Sequence, residues 1–241
     1  MLDQVFDFSP DFSLNALLLL VILVTLEAVL SADNAIALAS ISQGLPDIKM
    51  QRQALNIGLL IAYVLRMALI LTATWVIRYW QFELLGGLYL LWLVFQYFKP
   101  DRDEDGDHHG PRFASVWQAI PMIALTDLAF SLDSVTAAIA VSDETWLVLT
   151  GATLGIIALR FLAELFIRLL KEFTHLEDAG YITVGLVGAR LVLRVIDHRF
   201  VPPEWLMIIV IAGLFIWGFS ERTEVTAESS ETEETVQVPE P

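Results

Sequence analysis

Two stretches of the chain repeat one polar pattern inside strongly apolar sequence. Leu26-Glu27-Ala28-Val29-Leu30-Ser31-Ala32-Asp33-Asn34 is matched by Thr126-Asp127-Leu128-Ala129-Phe130-Ser131-Leu132-Asp133-Ser134. An acid, three residues, Ser-x-Asp and a small polar side chain recur in the same order. The candidate site is therefore Glu27, Ser31, Asp33, Asn34, Asp127, Ser131, Asp133 and Ser134. Their ligand atoms are carboxylate, hydroxyl and amide oxygens, joined by any backbone carbonyl that a broken helix frees. Such a set suits hard cations, with manganese, magnesium and calcium ahead of zinc or copper. No histidine falls in an apolar segment and the chain has no cysteine, which excludes disulfides, thiolate metal sites and thiol nucleophiles. The residues leave the choice among those cations open, together with proton or sodium coupling.

The surroundings make these acids expensive. The chain of 241 residues is 56% hydrophobic with a mean hydropathy of +0.63, so lipid solvates most of it. An ionised carboxylate at the bilayer centre costs about 2.5–3.5 kcal/mol on insertion scales, so four cost on the order of 10 kcal/mol unless neutralised. Arg66, Arg160 and Arg190 are the intramembrane bases that can offset part of this, and a bound cation can offset the rest. Arg66 and Arg160 are expected to hold the motif acids when no ion is present. Arg160 and Glu164, spaced i,i+4, are also expected to pair with one another.

A helix needs about 20 apolar residues to cross the hydrocarbon core. Seven segments qualify or nearly do: 14–42, 54–77, 82–98, 114–142, 146–170, 181–197 and 204–220. No Lys or Arg precedes the first of them, so it is expected to be a retained span rather than a cleaved signal. Short loops on one side carry Lys49, Arg52, Lys99, Arg102, Arg112, Arg168, Lys171 and Arg222, against Arg78, Arg194 and Arg199 on the other. That bias predicts an N-terminus outside and a cytoplasmic C-terminus.

The likeness between the halves extends beyond the acids. Residues 58–70 align with 152–165, setting Arg66 opposite Arg160, and 84–93 align with 182–193, setting Gly87 opposite Gly185. Three spans per copy is an odd number, so the second copy enters the membrane from the opposite side, as in inverted-repeat transporters. The expected fold is an all-α membrane protein of seven transmembrane helices, with two inverted three-helix repeats and a C-terminal helix. The first repeat with its N-terminal segment covers 1–98, an acidic loop 99–112, the second repeat 113–200, the seventh helix 201–220 and an acidic tail 221–241.

Spacing also predicts where the helices break. Glu27 and Ser31 share a helical face, whereas Asp33 lies about 120° around the axis from Glu27. Both acids can aim at one ion only if the helix unwinds or the two repeats offer different faces. Segments 14–42 and 114–142 are nearly 30 residues each, about 45 Å as continuous helix, which permits a break. Broken helices around one shared oxygen-lined site are the expectation.

Two further features are weaker. The loop from Asp101 to Arg112 begins like a calcium-binding EF-hand loop but ends on arginine where a bidentate acid is required, and His108 and His109 lie within it. The tail from Glu221 onward holds seven glutamates and one arginine, and most of the net charge of −15 lies in such connecting and terminal segments. No P-loop, dinucleotide fingerprint, HExxH or nucleophile elbow occurs, so neither an enzyme nor a cofactor is expected.

With these motifs in view, the sequence resembles the TerC family of integral membrane proteins. Residues 26–39 (LEAVLSADNAIALA), 126–141 (TDLAFSLDSVTAAIAV) and 179–193 (AGYITVGLVGARLVL) carry the resemblance, which covers nearly all of 14–220. The family is related to the LysE transporter superfamily, and the resemblance implies seven spans and export of manganese. The family's acidic motif falls on Glu27, Asp33 and Asn34, and then on Asp127, Asp133 and Ser134, where Asp replaces Glu and Ser replaces Asn. Plant relatives associated with thylakoid biogenesis imply the alternative, a membrane assembly factor aiding insertion or metalation of other proteins. The expected partners are the metal ion, the lipid bilayer and a second copy of the chain, with no nucleic acid. A bacterial inner membrane is the expected location, with the thylakoid as the alternative.

Overall fold

Apolar runs buried in lipid fold as helices because no water is present to satisfy an open backbone. The computed structural model describes residues 14–76, 78–99, 111–142 and 144–222. Among the described residues there are eight α-helices: α1 (Leu14–Leu30), α2 (Ala32–Gln43), α3 (Ile48–Val76), α4 (Trp80–Phe98), α5 (Val116–Val141), α6 (Thr145–Glu172), α7 (Leu176–Ile196) and α8 (Glu204–Gly218). One 3-10 turn, His198–Phe200, follows α7, and no strand occurs among the described residues. Among the described residues, four helices are long and apolar enough to cross a membrane: Ile48–Ala73, Val116–Val141, Thr145–Glu172 and Leu176–Ile196. Shorter apolar stretches, Ala16–Thr25 and Trp205–Gly218, lie in α1 and α8.

The expected break in the first segment is present. Segment 14–42 forms two helices separated only by Ser31, whose φ of −96° and ψ of −6° depart from helical values. The matching break in segment 114–142 is absent. Residues Val116–Val141 form one helix through Pro121, which stands in the second turn and so disturbs few backbone bonds. The Ser131 hydroxyl donates to the Asp127 carbonyl at 2.7 Å, folding the serine back onto its own helix.

Inter-helix contacts set the directions of the bundle. Leu23 meets Gly151, Glu27 meets Gly155 and the Gln43 amide donates to the Ile167 carbonyl, so α1 and α2 run parallel to α6. Gly58 meets Ile123 and Arg66 reaches Ser131, so α3 runs parallel to α5. By the same reading α4 is antiparallel to α7, with Glu83 near Arg194 and Tyr97 stacked on Tyr181 at 3.8 Å. A Cβ on Gly87 would lie 2.9 Å from the Gly188 carbonyl, so only glycine allows α4 and α7 to pack this closely.

Candidate cation site

The site begins with Arg66, in the interior of α3 and 0% exposed. A buried guanidinium must satisfy its donors and its charge, and two of the repeated acids do so. Nη1 donates to Glu27 Oε1 of α1. Nη2 donates to Asp127 of α5, 3.1 Å from Oδ1 and 3.3 Å from Oδ2. Nε donates to Ser131 Oγ at 2.8 Å. Ser31 Oγ lies 3.5 Å from Glu27 Oε1, a weak contact. Matched acids and serines from the two halves thus surround one arginine. Two carboxylates and one guanidinium leave a net charge of −1 when all are ionised.

The neighbouring helix is shaped to this cluster. A Cβ on Gly155 of α6 would lie 2.0 Å from Glu27 Cγ, so a side chain there would displace the acid from Arg66. A cavity of about 10 Å³ borders Glu27, Arg66 and Ser134, beside Leu23 and Gly151. It has room for one water-sized species. Asn34 and Ser134 are both buried.

Asp133 belongs to a second cluster. On the continuous α5 it lies about 120° around the axis from Asp127, which turns it away from Arg66. It accepts from Arg190 Nη1 and, at 2.5 Å, from Arg194 Nη2, both on α7. Glu83 of α4 is 3.8 Å from Arg194. Arg194, expected as a loop charge, lies within α7 and pairs with a motif acid. Among the described residues, no group of three His, Cys, Asp or Glu side chains is arranged to hold a metal ion. Asp33 stands in the first turn of α2, and its side chain lies outside the described residues. So do residues 1–13, the acidic loop through Gly110 with His108 and His109, and residues 223–241.

Arg160 corrects the expectation of symmetry. It donates to Asn56 Oδ1 and, at 2.9 Å, to Glu164, and among the described side chains it contacts neither motif. The reason is helical phase. Gly155 faces Glu27, and Arg160, five residues on, is turned about 140° from it. The expected pairing of Arg160 with Glu164 is present.

A further polar cluster is not apparent from the sequence. Ser40 donates to Glu177 at 2.5 Å and lies 3.2 Å from the Tyr181 hydroxyl, while the Tyr97 hydroxyl donates to Asp178 at 2.6 Å. Glu177 and Asp178 precede the predicted span, where acids read as ordinary first-turn charges. Two tyrosines and a serine in apolar runs gave the only other signal.

Comparison with known proteins agrees with the membrane reading. The integral membrane protein TerC family matches residues 12–228. The chain is 33% identical to the uncharacterized membrane protein YceF of Bacillus subtilis, over 88% of this chain and 86% of that one. It is 31% identical to the uncharacterized membrane protein YkoY of the same organism, over 75% of this chain and 61% of that one. The UPF0053 inner membrane protein YgdQ of Escherichia coli is 29% identical over 76% of this chain and 83% of its own length. No solved structure matches.

Proposed function

The chain belongs to the TerC family of integral membrane proteins, and from that premise we propose that it is a divalent-cation transporter that exports manganese by alternating access. One observation carries the reading: acids matched between the halves, Glu27 and Asp127, meet on the single buried Arg66. The charges suit an exchange. Two carboxylates with a divalent cation sum to zero, so an arriving ion can take over the role of the guanidinium, and Arg66 offsets one of the two negative charges once the ion leaves. Ser31 and Ser131 add hydroxyl oxygens, and Ser134 borders the adjoining cavity. Asp33 and Asn34 join the proposed ligand set through their place in the repeated motif.

In this reading seven spans form two inverted repeats and a final helix, with α1 and α2 acting together as the first span. The parallel pairing of α1 and α2 with α6, and of α3 with α5, supports such a pairing of halves. Asp133, held by Arg190 and Arg194, is then a second station on the cation's path. The short-loop Lys and Arg bias puts the N-terminus outside and the acidic tail in the cytoplasm.

The test is cellular manganese in manganese-stressed cells expressing wild type, Asp127→Asn or Asp133→Asn, with membrane insertion checked for each. Wild type should lower cellular manganese and both variants should fail to do so. Equal manganese in all three, with normal insertion, would leave an assembly or scaffold role and remove transport.

A further inference from the structure

A further charged feature lies on the outer seam between α3 and α6, away from Arg66 and from Asp133. Arg52 meets Glu164 at 3.0 Å and Asn56 receives a bond from Arg160, while Tyr63 lies 3.3 Å from Thr153 through their hydroxyls. The two helices therefore run antiparallel. Glu164 also pairs with Arg160 at 2.9 Å and contacts Arg168 at 3.8 Å. One carboxylate faces three guanidiniums, a surplus of two positive charges. Arg52 and Arg168 keep side-chain exposures of 48% and 67%, so their remaining N–H groups are open to a ligand.

Position and shape narrow the ligand. Helices of 29 and 28 residues are about 43 Å long, more than the roughly 30 Å core, so the start of α3 and the end of α6 reach the headgroup layer. Exposed Leu60 and Ile157 lie beyond the arginines towards the membrane interior. Farther on, a groove of about 430 Å³ is lined by Tyr63, Met67, Trp146, Thr150, Thr153 and Leu154. Arg52 to Met67 spans about 22 Å along α3, enough to seat a headgroup at one end and an acyl chain along the rest.

We propose that the α3–α6 seam binds an anionic phospholipid, with its phosphate on Arg52 and Arg168 and an acyl chain in the groove leading towards Trp146. Charge complementarity selects this occupant. A second copy related by a two-fold axis through the seam would set the same positive surplus against itself. A free phosphate would leave the apolar groove uncovered. Basic sites between membrane helices near the cytoplasmic headgroups recognise lipid phosphates in this way. The proposal does not depend on cation transport.

The experiment is a native mass-spectrometry titration of the detergent-solubilised full chain with phosphatidylglycerol, phosphatidylcholine or inorganic phosphate. Wild type should prefer phosphatidylglycerol to phosphatidylcholine. The double variant Arg52→Gln/Arg168→Gln should bind phosphatidylglycerol about 25-fold more weakly, from about fivefold per arginine. If the double variant does not fold, Arg168→Gln alone should show the fivefold loss. Arg222→Gln, at an exposed arginine outside the seam, should bind as wild type. Equal affinity for both lipids, unchanged affinity in the folded variant, or displacement of the lipid by inorganic phosphate at similar concentration would each overturn the proposal.

Discussion

In the first half the repeated polar pattern crosses a helix junction: Glu27 lies in the last turn of α1, Ser31 interrupts, and Asn34 stands in the first turn of α2. In the second half Asp127, Ser131 and Ser134 share the single helix α5. Equal spacing in sequence therefore produces unequal mechanics. The second copy fixes Asp127 and Ser131 on Arg66 and turns Asp133 to α7, whereas the first has a joint beside its acid. Within the proposed transport cycle, the rigid copy holds the site and the jointed copy opens it. The matched arginines diverge likewise, Arg66 buried between two motif acids and Arg160 half-exposed on the outer seam.

Substituting those two arginines separates the halves most strongly. Arg66→Gln leaves two buried carboxylates without their cation and should destabilise the protein by about 3–5 kcal/mol. Arg160→Gln, at a partly exposed pair, should cost at most about 1 kcal/mol. Denaturant unfolding in detergent measures both, and equal losses would erase the distinction between them.

Gly155→Ala comes next. The added methyl must displace Glu27, at a cost of about 1–3 kcal/mol. Gly213→Ala in α8 meets nothing within 4 Å and should be neutral or stabilising by up to about 1 kcal/mol. A lower melting temperature for Gly155→Ala alone is expected, and parallel behaviour of the two would mean that α6 does not seat Glu27.

The smallest contrast lies between the serines. Ser131→Ala removes the acceptor of Arg66 Nε and should cost about 1 kcal/mol, whereas Ser31→Ala loses only a 3.5 Å contact and should cost under about 0.5 kcal/mol. Reversal of that order in unfolding measurements would shift the fixed copy from the second half to the first.

Much of this was legible in the residues because lipid makes a charge conspicuous. The helical fold, the matched acids, the opposing Arg66 and the Arg160–Glu164 pair all follow from apolar periodicity and the cost of burying charge. The 120° offset within the motif led to the expectation of broken helices around one shared site, whereas α5 runs unbroken and the same offset sends Asp127 to Arg66 and Asp133 to α7. Helix continuity was not legible. Ser31 and Ser131 occupy matched positions, and only packing decides that one interrupts a helix while the other bonds back to its own turn. Glu83 and Arg194 were also hidden, because charges near span ends read as ordinary interfacial residues until α4 and α7 set them beside Asp133.

The central claim, that Glu27 and Asp127 around Arg66 carry the ion, is tested most directly by manganese flux into proteoliposomes holding purified protein. Wild type should move manganese, and Glu27→Gln and Asp127→Asn, each shown to be folded and reconstituted, should reduce the flux at least about tenfold, the equivalent of losing one charged interaction. Flux at the wild-type rate through either folded variant would contradict the account.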